Sequence, residues 1–264
     1  MLVTGNEKGG TGKSTVALHL AIALLERGHE VGTLDLDARQ ATLTRYLENR
    51  LGSMESQDVA LPMPAYAAIR PDPEAETDDE TRLETAVERM AEHCDVVILD
   101  TPGTDTPLSR RAHALADTLV TPINDSFVDL DVLARVDPDT LRVERASHYA
   151  ALVYEQKVAR QSEHRGTMEW IVLRNRVGAQ DARNKRQMEK VLNELAKRYR
   201  FRLVGGLGER VIYRELFLRG LTLIDLRRKG LRFNMSMSHV AARQELRALV
   251  ESLNLPAPAD SELL

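Results

Sequence analysis

A doubly wound α/β fold, with a mostly parallel sheet flanked by helices, is what this sequence predicts, and three observations predict it. Short apolar runs recur at 31–36, 96–99, 118–120 and 170–173, separated by segments long enough for helices, which is the alternation of a parallel sheet. The runs are continuous rather than alternating, as strands covered on both faces are. Finally, a glycine-rich loop stands between the apolar Leu2-Val3 and a helical pattern through Val16, Leu20, Ala23 and Leu24. Strand, loop and helix come in that order.

The loop, residues 5–15, reads GNEKGGTGKST. Glycines let a backbone curl so that successive N–H groups point at phosphate oxygens, and the following helix adds its positive N-terminal end. Lys13 is placed to reach the β- and γ-phosphates of a nucleotide, while the Ser14 hydroxyl, backed by Thr15, completes the coordination of Mg²⁺. The usual spacing asks for glycine where this chain has Glu7; Gly9 and Gly10 take over, with Thr11 and Gly12 completing the turn. A second lysine, Lys8, stands inside the loop.

At 264 residues the chain suits a single domain, 1–264, with length for a buried core. It is 43% hydrophobic and 29% charged, and no apolar stretch approaches the roughly 20 residues that cross a bilayer. The loop follows Met1 so closely that a signal peptide has no room, so a cytoplasmic location is expected. Cys94 is the sole cysteine, which excludes an intramolecular disulfide and a cysteine-rich metal cluster within one chain. Residues 53–80, with Pro62, Pro64, Pro71, Pro73 and the acidic run 74–80, read as an irregular surface insertion whose acids are solvated.

Three strand ends carry candidate chemistry. The run 96–99 delivers Asp100 to the carboxyl edge of the sheet, where parallel folds bind ligands, so Asp100 is expected near Mg²⁺, with Thr101-Pro102-Gly103 after it. Asp35 and Asp37 end the second run, two residues apart and therefore on one side of an extended strand; one of them as a turn former remains open. Asn175 ends the run at 170–173 and has the donor and acceptor for an adenine edge, though a loop-starting role is equally open.

Charge is segregated. The net charge is −4, yet 176–202 holds nine Lys or Arg against Asp181, Glu189 and Glu194. At helical spacing Arg183, Arg186, Lys190 and Lys197 share one side, and Met188, Val191, Leu192 and Leu195 the other. An anionic partner is expected on the basic side. Clustered cations without interleaved aromatics point to duplex DNA bound through phosphates, without sequence reading. A membrane is not expected, because residues 253–262 carry proline and acids rather than a basic amphipathic helix.

The form KGGTGKST with its early lysine resembles the deviant Walker A ATPases, and the fold it implies is that of P-loop NTPases. DLDARQ at 35–40 resembles that family's first switch. TPINDSFVDLD at 121–131, VLRNR at 172–176, RVIYRELFLRGLTLIDL at 210–226 and AARQELRAL at 241–249 resemble its MipZ branch. The resemblance implies that Lys8 crosses a dimer interface to the partner's nucleotide, that Asp37 orients the attacking water, and that Asp35 assists near the metal. It also implies ATP-driven homodimerisation, nucleoid DNA binding by the dimer, inhibition of FtsZ polymerisation, recruitment by ParB toward the cell poles, and a place in division-site positioning. A ParA-type segregation ATPase shares the chemistry and is the alternative; a metabolic ATP-dependent enzyme on the same fold would turn over only with a small substrate.

Overall fold

The computed structural model describes residues 1–258 except Ala38, Pro71, Pro73, Pro138, 179–181, Lys229 and 232–235; the side chains of 182–185 also lie outside the described residues. The chain divides into two compact units, 1–13 with 101–209 and 14–100 with 210–264. The parallel sheet has seven strands, four from the first unit and three from the second.

The second unit contributes β2 (Val31–Asp35), β3 (Ala65–Ala68) and β4 (Val96–Asp100), in the order β3-β2-β4. Every residue of β2 and β4 is buried, as continuous apolar runs require. Their parallel register sets Asp35 directly beside Asp100, so two carboxylates end adjacent strands. Most of α1 (Lys13–Leu25) lies in this unit, with α2 (Thr42–Gln57), α3 (Asp79–Ala91), α8 (Ile212–Leu218) and α9 (Met237–Ser252). Within 53–80, residues 53–57 continue α2 and 65–68 form the edge strand β3. β3 reads AYAA and is largely exposed, so it carries neither the apolar run nor the β-branched composition that marks a strand.

The first unit holds β1 (Leu2–Thr4), β5 (Thr118–Asn124), β8 (Glu169–Val177) and β9 (Arg202–Gly208), in the order β1-β5-β8-β9. Its helices are α4 (Pro107–Leu115), the short α5 (Phe127–Leu130), α6 (His148–Ser162) and α7 (Ala182–Tyr199). A small antiparallel pair, β6 (Ala134–Val136) with β7 (Val143–Ala146), stands apart from the sheet. α4 starts in a reciprocal cap: Thr106 accepts from the Ser109 amide, the Ser109 hydroxyl accepts from the Thr106 amide, and Pro107 opens the helix, satisfying N–H groups that would otherwise lack partners. On α7, Met188, Val191, Leu192 and Leu195 are buried while Arg186, Lys190 and Lys197 are exposed. The Arg183 side chain lies outside the described residues.

Among the described residues, no helix is long and apolar enough to cross a membrane.

Candidate functional site: a phosphate loop and strand-end carboxylates

In the first unit the loop 5–13 is built as a cradle. Gly10 and Gly12 take φ of +74° and +93°, a region that side chains rarely enter. A Cβ added at Gly9 or Gly10 would meet nothing within 4 Å, so this curl faces open space rather than packing. Asn6, 1% exposed, anchors it: Nδ2 donates to the Pro122 carbonyl at 2.7 Å and Oδ1 accepts from the Lys8 amide at 2.8 Å. Lys13 is buried at the start of α1, its ammonium 3.4 Å from the Lys8 carbonyl it donates to. Gly103 comes in from the loop after β4; a Cβ there would sit 3.3 Å from Gly9 and 3.4 Å from the Lys13 ammonium.

Lys8 does not point away from its own chain. Its ammonium pairs with the carboxylate of Asp129, a buried residue of α5. Asp129 lies in the run 121–131 that carries the family resemblance, but nothing in that run marked it as the partner of a lysine 121 positions away.

Asn175 joins the loop as well. Its Nδ2 donates to the Thr11 carbonyl at 2.7 Å and its Oδ1 accepts from the Arg176 amide at 3.0 Å. It stands inside β8 rather than at its end, between two register irregularities against β9, and Arg176 beside it has φ of +51°. Such bulges re-aim a side chain, and here the amide turns onto the loop. The closeness is tight enough that a Cβ at Gly12 would lie 2.3 Å from Nδ2. Glycine at 12 is thus required by space as well as by φ.

Under the loop lies a buried hydrogen-bond chain whose polarity follows from a neutral His113. The indole N–H of Trp170 can only donate, to Thr121 Oγ1 at 2.9 Å, and the Ser109 carbonyl can only accept, from His113 Nδ1 at 2.6 Å. Between them Thr121 donates to the Tyr149 hydroxyl and Tyr149 donates to His113 Nε2, at 3.0 and 3.2 Å. This is the arrangement of a neutral Nδ1–H imidazole, and burial, which pushes the His113 pKa down to about 4, keeps the ring neutral at physiological pH. A Cβ at Gly5 would lie 2.4 Å from its Nε2: the imidazole is the floor on which the loop begins.

The second unit carries the other candidates. Ser14 and Thr15 are half-buried in the first turn of α1. Asp35 is 2% exposed; its Oδ1 accepts from the Asp37 amide at 3.0 Å, and its Oδ2 from the Thr44 amide and hydroxyl at 2.9 and 2.8 Å. Burial nonetheless holds its carboxyl above the usual range. Three of about four lone-pair directions are taken, which ties the end of β2 to the start of α2 and leaves one direction for a metal ion or its water. Asp100 is 1% exposed beside it. Asp37 is half-buried and accepts from the Gln40 amide at 3.1 Å.

Each unit carries a donor set that can be tested by its own chemistry. A backbone curl open to space with a lysine inside suits phosphate, and a hydroxyl with two strand-end carboxylates is an all-oxygen set suited to a hard cation such as Mg²⁺. Ser14, Asp35 and Asp100 are the residues that would hold it.

Comparison with known proteins identifies the family and the fold. The model of the family described as ATPase MipZ matches residues 1–257. Among solved structures, a McdA–ATP complex from Cyanothece superposes with a TM-score of 0.65 at 18% identity, over 97% of this chain and 96% of that one. A chain of the MinC:MinD cell division protein complex of Aquifex aeolicus gives 0.58 at 14% identity, over 98% and 97%, and MinD with Mg-ADP from Pyrococcus horikoshii OT3 gives 0.58 at 16%, over 96% and 95%. At these identities the likeness is one of fold. The iron-sulfur cluster carrier protein of Aquifex aeolicus (strain VF5) shares 54% identity over 37 residues, which is 14% of this chain and a tenth of that protein.

Proposed function

The chain belongs to the MipZ family of ATPases, and from that membership we propose a nucleotide switch: ATP drives two copies together, the dimer binds nucleoid DNA through phosphates, and hydrolysis ends the association. The observation that carries this reading is the open glycine curl holding Lys13 inside it, with a second lysine two residues before Gly10. Within it Lys13 and the loop amides hold the phosphates, Ser14, Asp35 and Asp100 hold Mg²⁺, and Asp37 orients the attacking water. Mg²⁺, when bound, neutralises charge on the transferred phosphoryl group. Phosphoryl transfer needs positioning and charge rather than a covalent nucleophile, and these residues supply both. Inhibition of FtsZ polymerisation, recruitment by ParB and a polar, nucleoid-associated position in the cytoplasm complete the proposal, which the family membership supports. Capture of FtsZ rather than of cargo-bound ParB distinguishes it from ParA-type segregation.

Lys8 is the residue that tests the switch. In one chain it pairs with Asp129; in the dimer it would exchange that carboxylate for the partner's nucleotide. Lys8→Ala is expected to keep ATP binding and lose ATP-dependent dimerisation, read by sedimentation with a slowly hydrolysed ATP analogue. A normal dimer from the variant overturns the cross-subunit role.

The basic face of α7 is separable from the switch. Reversal of Arg183, Arg186, Lys190 and Lys197 to Glu is expected to abolish DNA binding and leave dimerisation intact. Parent affinity should fall steeply with salt and vary little with DNA sequence. Two weak faces joined in one particle gain a high effective concentration for the second contact, so the ATP-trapped dimer should bind far better than the monomer. Equal binding by monomer, dimer and charge-reversed dimer overturns both the face and its control.

A further inference from the structure

We infer that His148 is a positioning residue for the phosphate loop, acting through Glu7: its imidazolium neutralises an acid built into the loop and so strengthens binding of a nucleotide's phosphates. This rests on the nucleotide reading above. An acid inside a loop that receives phosphate is a local conflict of charge, and Glu7 is that acid. Its Oε1 is shielded from solvent and, among the described residues, has no hydrogen-bond partner. His148 Nε2, at the start of α6, stands 3.6 Å from that oxygen and 3.1 Å from Asp105 Oδ2, so the ring sits between the loop and the segment that leads into α4.

The surrounding charges define what the ring does. Arg110 of α4 grips Asp105 with two bonds, Nε to Oδ1 at 2.8 Å and Nη2 to Oδ2 at 2.6 Å, and its Nη1 lies 3.6 Å from Glu155 of α6. Glu7, Asp105 and Glu155 thus face one guanidinium, and the imidazolium is the second cation. The hydrogen bond to Asp105 and the charge of Glu7 raise the His148 pKa above the ordinary imidazole value, burial raises that of Glu7, and the Arg110 bonds hold Asp105 down to about 2. Glu7, Asp105 and His148 each offer a ligand atom within 4.8 Å of the others, a spacing open to a divalent cation as well. Both oxygens of Asp105 are already held by a guanidinium, however, and a proton on His148 suits that arrangement better than a metal beside Arg110.

Because the folded pKa is raised, the cation is fully present below the ordinary histidine value of about 6.5 and is lost as pH rises through the raised value. Above it, the Glu7 carboxylate beside Lys8 repels the incoming phosphates with less compensation. His148 is 67% exposed, so screening limits the effect to roughly threefold in affinity.

The test is ATP affinity of the parent, His148→Lys and His148→Gln, by equilibrium dialysis from about pH 6 to about pH 9. ATP's own titration is common to all three and cancels in the ratios. The parent should match His148→Lys at low pH and drift toward His148→Gln at high pH, and in a Glu7→Gln background the two substitutions should become equivalent. A parent-to-Gln ratio that stays constant with pH, or that survives Glu7→Gln, overturns the inference. A parent that binds no ATP at any pH overturns the nucleotide reading, and this inference with it.

Discussion

Asp37→Ala is expected to bind ATP as tightly as the parent while hydrolysing it roughly a hundredfold more slowly, so that ATP-bound dimer accumulates. Among the described residues the carboxylate accepts one hydrogen bond, from the Gln40 amide, and the residue is half-buried, so its removal takes away little packing. The bond that positions this segment on β2 is made by the Asp37 backbone amide to Asp35, and alanine keeps it. Phosphates are held elsewhere, by the loop amides and lysines, so binding and turnover should separate. Single-turnover hydrolysis measured beside nucleotide affinity decides the matter. Hydrolysis at the parental rate would remove Asp37 from the catalytic role, and Asp35, already committed to Thr44 and to the Asp37 amide, would be a poor replacement.

The largest effect on stability is expected at Asp225. Arg50 of α2 and Asp225 are both 0% exposed and joined by two bonds of 2.8 Å, Nη1 to Oδ2 and Nη2 to Oδ1. The guanidinium also donates to the carbonyls of Pro62 and Gly220, and Asp225 accepts from the amide and hydroxyl of Thr222. Gly220 stands so near α2 that a Cβ there would lie 1.9 Å from the Arg50 nitrogen. Asp225→Ala strands a buried cation and should cost about 3–5 kcal/mol, whereas replacing both partners with apolar residues of similar volume should recover most of it. Urea unfolding of the single and double variants measures this; a loss below about 1 kcal/mol for Asp225→Ala would mean that the pair is not desolvated as its burial implies. Since α2 also carries Thr44, the anchor of Asp35, the single variant should lose turnover along with stability.

How much of this was legible depends on the range over which each feature is encoded. The strands β1, β2, β4, β5 and β8 announce themselves as apolar runs, because a strand buried on both faces must be apolar throughout. β9 does not: RLVGGLG contains three glycines and exposes part of its length, and Gly206 is there because a Cβ would lie 1.9 Å from the Arg174 carbonyl oxygen, a constraint imposed by the neighbouring strand. β3 is hidden for the same kind of reason, as an exposed edge of small residues paired only to β2.

The sequence by itself determined the phosphate loop, the carboxylates at the ends of β2 and β4 and the two-faced α7. These rest on local chemistry: glycine dihedrals, a strand that runs straight into a turn, and helical periodicity are properties of contiguous residues. Only the tertiary structure decided where the loop's own side chains go. Lys8 meets Asp129, Glu7 meets His148, Asn175 turns onto Thr11 and His113 comes up beneath Gly5, each across 100 or more residues. Such partners are chosen by strand order and register, and by a low-dielectric interior that demands a partner for each buried charge or hydrogen-bonding group. Neither condition leaves a periodic signature in the chain, so the same loop motif is compatible with many different surroundings until the fold selects one.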